Sequence, residues 1–226
     1  MKQIFIFTFL FAALHANAQN KIGVQAGVLA SRSIISGTSE LESYAGSPKA
    51  LTGYKFGVFA EIKLSDKVYF SPEINYLDKG SKYDHQTTLS NGNIVDVKRT
   101  IKTQYLELPV NLYYKAKTGK GAFFAGAGPV IGFGLKGKEE STIYKSSLPM
   151  MSTKQADIMF DGKEAQAGEG VHLKLMEIGL NIAVGYELKN GLRFNIQYRP
   201  NFNDIAPGDS MEYRNMYFGI NLGFGL

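Results

Sequence analysis

The sequence predicts an all-β protein, an eight-stranded antiparallel up-and-down transmembrane β-barrel. In residues 216–226 the even positions are large and apolar, whereas the odd ones are Tyr, Gly or Asn. Because successive side chains of a strand point to opposite faces, one face of this segment is continuously apolar. The same alternation recurs along the chain, and short turns alternate with long polar loops. These observations together are typical of outer-membrane barrels.

The N-terminus has the parts of a cleaved signal peptide. Lys2 supplies a positive charge, residues 4–14 form an apolar segment, and Ala16-Asn17-Ala18 matches an A-x-A cleavage site. The apolar segment is shorter than the roughly 20 residues that a membrane-spanning helix needs. We therefore expect residues 1–18 to be removed and residues 19–226 to form one barrel domain in the outer membrane of a Gram-negative bacterium.

Each of the eight predicted strands has apolar residues at alternate positions. In chain order, the strands are residues 21–30, 52–64, 68–79, 101–115, 122–136, 171–189, 192–202 and 216–226. Their apolar stripes occupy every second position of 22–28, 54–64, 68–76, 106–114, 123–133, 176–188, 192–198 and 216–226, interrupted by Pro72 and Pro129. The alternation is weakest in the fifth strand, which is rich in glycine.

Three short connections alternate with four long ones. The short ones are residues 65–67, 116–121 and 190–191, and the last is Asn-Gly, a strong hairpin signal. The long polar connections are residues 31–51, 80–100, 137–170 and 203–212. In outer-membrane barrels the short turns face the periplasm and the long loops face outside. An even number of strands then places both termini on the periplasmic side.

The face opposite the stripes distinguishes a membrane barrel from a soluble one. A lipocalin-type barrel also alternates, but its apolar face points inward. Here the second face is rich in glycine and asparagine, such as Gly128, Asn111 and Asn195, and small residues fit inside a narrow barrel. The central stripes carry no charge, and a lysine or arginine facing the middle of a bilayer costs about 2–4 kcal/mol. The pattern therefore places the stripes against lipid.

Charged residues on the second face form the main candidate site. They are Lys55, Glu61, Glu73, Glu107, Glu177, Glu187, Arg193 and Arg199. Buried charges are costly unless they are paired, and side chains nearly fill an eight-stranded barrel. We expect an interior polar network that plugs the barrel, in which Glu107 and Glu177 pair with Arg193 or Arg199. The alternative is a polar conduit or a gate.

The longest connection, residues 137–170, contains apolar residues that are unusual in a solvated loop. They are Met150, Met151, Met159 and Phe160. We expect them to form a contact surface for another envelope protein, or to extend the barrel as a short helix or hairpin. The acidic residues of this loop could also bind divalent ions or bridge lipopolysaccharide, although a solvated loop is the simpler interpretation.

Two segments carry a resemblance to a known family. YLELPVNLYYK at residues 105–115 and GAGPVIG at residues 126–132 resemble the PorT-like outer-membrane β-barrel family of Bacteroidota, as does the Ala18-Gln19 signal junction. The resemblance spans essentially the whole mature chain and implies an eight-stranded outer-membrane barrel. Its namesake is associated with type IX secretion, whereas many relatives have no assigned role.

The sequence favours a structural or interaction protein over an enzyme. After processing only His85 and His172 remain, the His-x-Ser motif of lipid A deacylases is missing, and there is no cysteine. We therefore expect no catalytic, cofactor or metal site. A net charge of +5 without a long single-sign run excludes a nucleic-acid footprint. The expected protein is a monomer whose partners are outer-membrane lipid, lipopolysaccharide and an envelope protein; the alternative is a small-ligand binding or transport barrel.

Overall fold

The structure, a computed structural model, describes residues 20–37, 47–88, 94–145, 148–164, 171–208 and 211–226. The predicted signal peptide, residues 1–18, lies outside the described residues. The strands of the described residues are β1 (Lys21–Gly37), β2 (Ser47–Lys63), β3 (Val68–Thr88), β4 (Ile94–Thr118), β5 (Gly121–Lys145), β6 (Leu148–Met159), β7 (Val171–His172), β8 (Met176–Leu188), β9 (Leu192–Pro200) and β10 (Met211–Gly225). No helix in the described ranges has the length and hydropathy needed to span a membrane.

Eight of these strands form a closed antiparallel ring. Following the ring, β4, β3, β2, β1, β10, β9, β8 and β5 pair in turn, and β5 pairs back with β4. The first and last strands meet along a seam that runs from Gly23 opposite Gly225 to Gly37 opposite Met211. The predicted fold class, an eight-stranded antiparallel barrel, is confirmed.

The two ends of the ring differ in their connections. The turn end carries the three tight connections and both ends of the described barrel, and the loop end carries the long ones. At the turn end, Gly119 and Gly191 have φ values of 49° and 90°, which only glycine adopts without strain. Both glycines therefore belong to turns that join adjacent strands directly.

The strands at the loop end are longer than predicted. β3 has 21 residues, and β4 and β5 have 25 each. Residues 80–88, 94–100 and 137–145, which we expected to be loop, are strand. Above the apolar stripe the alternation continues with polar side chains: Lys82 and Lys98 are exposed, whereas Tyr83 and Ile101 are buried. The polar side chains on the outer face made these segments look like loops, although the buried side chains of the inner face continue the alternation of a strand.

The predicted sixth strand, residues 171–189, is divided. Its first two residues form β7, which pairs in parallel with the end of β6, and β8 begins only at Met176. Between them the chain crosses the loop end, where Leu173 is buried and Leu175 is half exposed. β6 pairs with β5 from Gly137 upward, where β8 no longer lies beside it. We call residues 81–88, 94–103 and 136–145 together with β6 the loop-end sheet.

The two faces of the wall have the predicted orientation. The stripe residues point outward and are exposed, as at Val24 (60%), Phe123 (61%) and Ile220 (61%). Aromatic side chains pair at both ends of the stripes on the outer face. Tyr198 stacks on Phe218 toward the loop end, with ring centroids 4.5 Å apart. Phe123 meets the edge of Tyr186 toward the turn end at 4.7 Å.

Candidate functional site: the barrel interior

The loop-end half of the interior contains a buried charge cluster, which we call the outer charge cluster. The Lys79 ammonium bridges the carboxylates of Glu107 (3.1 Å) and Glu177. Arg199 forms an ion pair with Glu107, and the Tyr217 hydroxyl donates to the same carboxylate at 2.8 Å. All four charged side chains of this cluster are excluded from solvent. Burial of unpaired charge is costly, so this geometry stabilises the barrel only while every member is present.

Glu177 receives two further hydrogen bonds from neutral amides. The Asn201 amide donates to it at 2.6 Å, and the Asn215 amide donates to its second oxygen. With Lys79, this carboxylate therefore has three donors from three different strands or strand ends. Hydrogen bonds to an ionised acceptor are stronger than neutral ones.

The middle of the barrel contains amides around two charges, which we call the central amide cluster. Glu73 accepts hydrogen bonds from Gln25 (2.7 Å), Asn75 (3.0 Å) and Asn111 (3.0 Å). Lys55 donates to Gln197 at 2.7 Å. Neutral partners thus surround both charged groups. The amides satisfy the carboxylate and the ammonium without placing an opposite charge against either one.

The turn-end half contains the inner charge cluster. Lys115 donates to Glu61 (2.6 Å) and to Glu187, and Lys21 reaches Glu187 at 2.5 Å. Arg193 pairs with Glu61 at 3.2 Å. The Arg193 guanidinium also lies 4.4 Å from the ring centre of Phe59 and 4.6 Å from that of Phe124. These cation–π contacts fix the long side chain across the lumen.

An apolar cap closes the loop end above the charges. It consists of Tyr83, Ile101, Ile158, Leu173, Ile205, Ala206 and Tyr213, with Phe160 packed against it. Leu173, Ile205 and Ala206 come from connections that fold inward over the lumen. Phe160 also meets the edge of Tyr105 at 5.3 Å, next to the outer charge cluster. The connections of the loop end therefore contribute to the core.

The structure places all eight predicted interior residues inside the barrel, each at most 7% exposed. It does not give every expected partner. Arg199 pairs with Glu107, but Glu177 pairs with Lys79 and Arg193 pairs with Glu61. The expectation that Glu177 would meet an arginine is wrong, because Lys79 occupies the position next to this carboxylate.

Sequence reasoning missed three cations of the interior. Lys79 and Lys115 lie at the ends of predicted strands, and Lys21 lies at the first residue of β1. For two of them the spacing along the strand could have shown the inward position. Lys79 is six residues from Glu73, and Lys115 is eight residues from Glu107. An even spacing along one strand places two side chains on the same face.

The predicted contact residues of the long connection lie in different environments. Met159 is exposed (41%), whereas Phe160 is partly buried and packs against the apolar cap. The side chains of Met150 and Met151 lie outside the described residues. A short helix and a hairpin were the two expected forms of this connection. The hairpin is present, because β6 pairs antiparallel with β5.

One histidine lies at the rim of the cap. The Nδ1 atom of His172 is 2.7 Å from an oxygen of Asp161, and this hydrogen bond lowers the pKa of the Asp161 carboxyl below its usual value. No cluster of three or more metal-ligating side chains occurs in the described part of the chain.

A sequence profile of the family described as "Outer membrane protein beta-barrel domain" matches residues 17–206. The chain belongs to this family. It is accordingly an integral outer-membrane β-barrel. In barrels of this kind the short turns face the periplasm and the long loops face outside. No curated protein matches the chain.

Three solved structures with a similar arrangement are distant from this chain in sequence. Neisserial surface protein A is 13% identical, with 90% of this chain and 96% of that chain covered and a TM-score of 0.39. OprG from Pseudomonas aeruginosa is 11% identical, with 92% and 96% covered and a TM-score of 0.37. The outer membrane protease OmpT from Escherichia coli is 7% identical, with 91% and 97% covered and a TM-score of 0.41. No activity follows from these likenesses.

Proposed function

We propose that this barrel is a closed, non-conducting component of the cell envelope that holds the loop-end sheet above the membrane as an interaction surface. The observation that carries the proposal is the filled interior. Two charge clusters and the central amide cluster occupy the lumen, and the apolar cap covers it. A solute would have to break buried ion pairs and displace the cap in order to pass.

The same closure argues against catalysis in the lumen. Glu107 and Glu177, which could perform acid–base chemistry, are fully buried, and both are paired with Lys79. A general acid or base must come within hydrogen-bond reach of a substrate proton. We therefore propose a structural or interaction role for a monomer surrounded by lipid, without an enzymatic step.

The loop-end sheet supports the interaction role. Among the described strands β6 forms one edge of this sheet, and between Ser152 and Asp157 its described partner is β5. An exposed strand edge offers unpaired backbone groups to an extended segment of a partner. Charged and polar side chains on β6 keep this edge soluble until a partner is present.

Conductance in planar bilayers tests closure. We expect the folded wild-type barrel to show no steady conductance, because buried paired side chains and the apolar cap occupy its interior in the described part of the chain. Phe160→Ala removes the ring that joins the cap to Tyr105 and should increase brief opening events, whereas Phe56→Ala on the lipid face should not. Stable conductance of the wild type would refute the closed barrel and favour the small-ligand transport alternative.

Excision of the β5–β6 hairpin tests the interaction role. Gly137 and Ile158 are register partners at its base, so residues 138–157 can be replaced by a two-glycine turn. We expect the shortened barrel to fold, as judged by gel migration without boiling, and to lose cross-links to envelope proteins in living cells. Unchanged cross-links would contradict the assigned surface.

We also propose that the chain belongs with the PorT-like barrels of Bacteroidota within this family. The residues of β4 from 105 to 115 and those of β5 from 126 to 132 support this assignment. In the structure these two segments lie on adjacent strands of the wall. A role in type IX secretion is the second candidate that this resemblance favours. Loss of secreted cargo in a deletion strain, restored by the intact gene, would support that role, whereas normal secretion would exclude it.

A further inference from the structure

The outer face of the wall contains a cavity where the apolar stripes end toward the outside of the cell. It has a volume of about 450 Å³ and lies across β2 to β6. Its lining includes Tyr54, Asp78, Lys102, Lys136 and Lys138. Tyr54, the aromatic residue that ends the stripe of β2, lines the cavity, and because aromatic residues mark the interface in such barrels we place the cavity at the level of the lipid headgroups.

Two irregularities of the wall create this cavity. Between Ala50 and Lys55 the register of β2 against β3 shifts. Between Gln104 and Tyr105 the register of β4 against β5 shifts, so that Leu135 and Lys136 are both exposed. A β-bulge of this kind bends a strand and changes which residues share a face. The outer face of β5 therefore changes from apolar to basic within one residue.

Three lysines and two carboxylates line the cavity. Lys102 is the register partner of Lys138, and Lys136 lies in the next row. All three ammonium groups are exposed, and none forms a salt bridge with the described residues. The carboxylates are those of Asp78 and Asp157, so the lining has an excess of positive charge that favours an anion.

Two residues of the cavity lining each have a buried side-chain oxygen without a donor. The Oδ1 atom of Asp78 and the Oε1 atom of Gln104 are buried and make no hydrogen bond within the described structure. The two residues are register partners, so both oxygens lie in one row of the wall. An unsatisfied buried acceptor destabilises the site that holds it, and a hydroxyl or amide donor would relieve that cost.

We propose that this cavity binds the phosphorylated sugar headgroup of an outer-leaflet glycolipid of the lipopolysaccharide type. The phosphate lies among Lys102, Lys136 and Lys138, and sugar hydroxyl or amide groups donate to Asp78 and Gln104. The acyl chains then lie along the apolar stripes below. A ligand that combines an anion, several donors and a hydrocarbon tail matches all three parts of the site, whereas a soluble anion matches only the first.

Native mass spectrometry of the folded full-length barrel, released from detergent, tests the proposal. The probes are bisphosphorylated lipid A, the same lipid without phosphate, and free glucosamine 1-phosphate. The site variant carries Lys102→Gln, Lys136→Gln and Lys138→Gln. The matched control carries Lys49→Gln, Lys82→Gln and Lys98→Gln, which remove the same charge from exposed positions farther from the membrane.

We expect the wild type and the control to retain bisphosphorylated lipid A and the site variant to lose about tenfold or more of it. Gln104→Leu should weaken retention while leaving all three cations in place. If the site variant and the control variant lost the same amount of bound lipid, net charge alone would explain the effect, and the proposal would be overturned. Equal retention of the lipid without phosphate, or equal binding of glucosamine 1-phosphate, would also overturn it. Gel migration without boiling verifies that each variant is folded.

Discussion

The outer charge cluster makes a quantitative prediction about Arg199→Ala. The variant removes a fully buried cation and leaves the carboxylate of Glu107 inside the wall. Removing one partner of a buried ion pair typically costs about 3–5 kcal/mol. Glu107 keeps two donors, the Lys79 ammonium at 3.1 Å and the Tyr217 hydroxyl at 2.8 Å. We therefore expect a loss near the lower limit, about 3 kcal/mol in the free energy of unfolding.

Urea titration in lipid vesicles measures this loss. The folded fraction is read from the different migration of folded and unfolded barrels in unboiled samples, and the free energy follows by linear extrapolation. Lys49→Ala is the matched control, since Lys49 pairs with Asp84 at 2.6 Å while its side chain is 62% exposed. Exposed pairs contribute about 0–1 kcal/mol. A loss for Arg199→Ala no larger than that of the control would refute the reasoning.

A double variant separates lost pairing from lost packing. Arg199→Met combined with Glu107→Leu replaces both charges by apolar side chains of comparable length. Such replacements of buried pairs are often neutral or stabilising. We expect the double variant to be more stable than Arg199→Ala alone, although Lys79 then keeps only Glu177. If the double variant were the less stable of the two, the unpaired carboxylate would not be the source of the cost.

Two further predictions concern the wall and the rim of the cap. Gly128→Ala should destabilise the barrel by about 1–3 kcal/mol, because the new methyl group would overlap the Val110 carbonyl oxygen. Gly132→Ala should be tolerated, since its nearest atoms are 3.5 Å away or more. The hydrogen bond from His172 lowers the pKa of Asp161. This bond therefore stabilises the rim fully at pH values above the usual aspartate pKa, and its contribution is lost as the pH falls through the lowered pKa. Amide exchange of residues 160–164, corrected for intrinsic rate, should rise only in that acidic range, and Asp161→Asn should abolish the step.

Parity along the strands predicted most of the wall and most of the charged residues of the interior. The alternation decided which face each residue occupies, and it placed Glu107 and Arg199 inside before any pairing was known. Which side chains meet across the lumen depends on strand tilt and stagger, which periodicity does not encode. The sequence therefore predicted that the interior is charged, but it missed the cation Lys79 and could not assign it to Glu177.

The loop end was harder to predict because its inward face comes from segments without a period. Leu173 and Ile205 are single apolar residues in polar connections, and only the folded mouth shows that they meet. The exposed position of Leu135 could not be predicted either. A register shift is a relation between two strands, so it cannot be recognised in the sequence of one strand alone. Phe160 could have been assigned to the core only after the position of Tyr105 was known.

The seam between β1 and β10 has a consequence for how the protein is made. Its partners are separated by nearly the whole chain, and the backbone amide of Leu226 donates to the Ile22 carbonyl at 2.8 Å. Pairings between such remote segments form slowly, because the intervening chain must first lose its freedom. The ring therefore closes only after β10 has been made. A chain that lacks β10 would leave one edge of β1 unpaired, and an open strand edge is a site for aggregation.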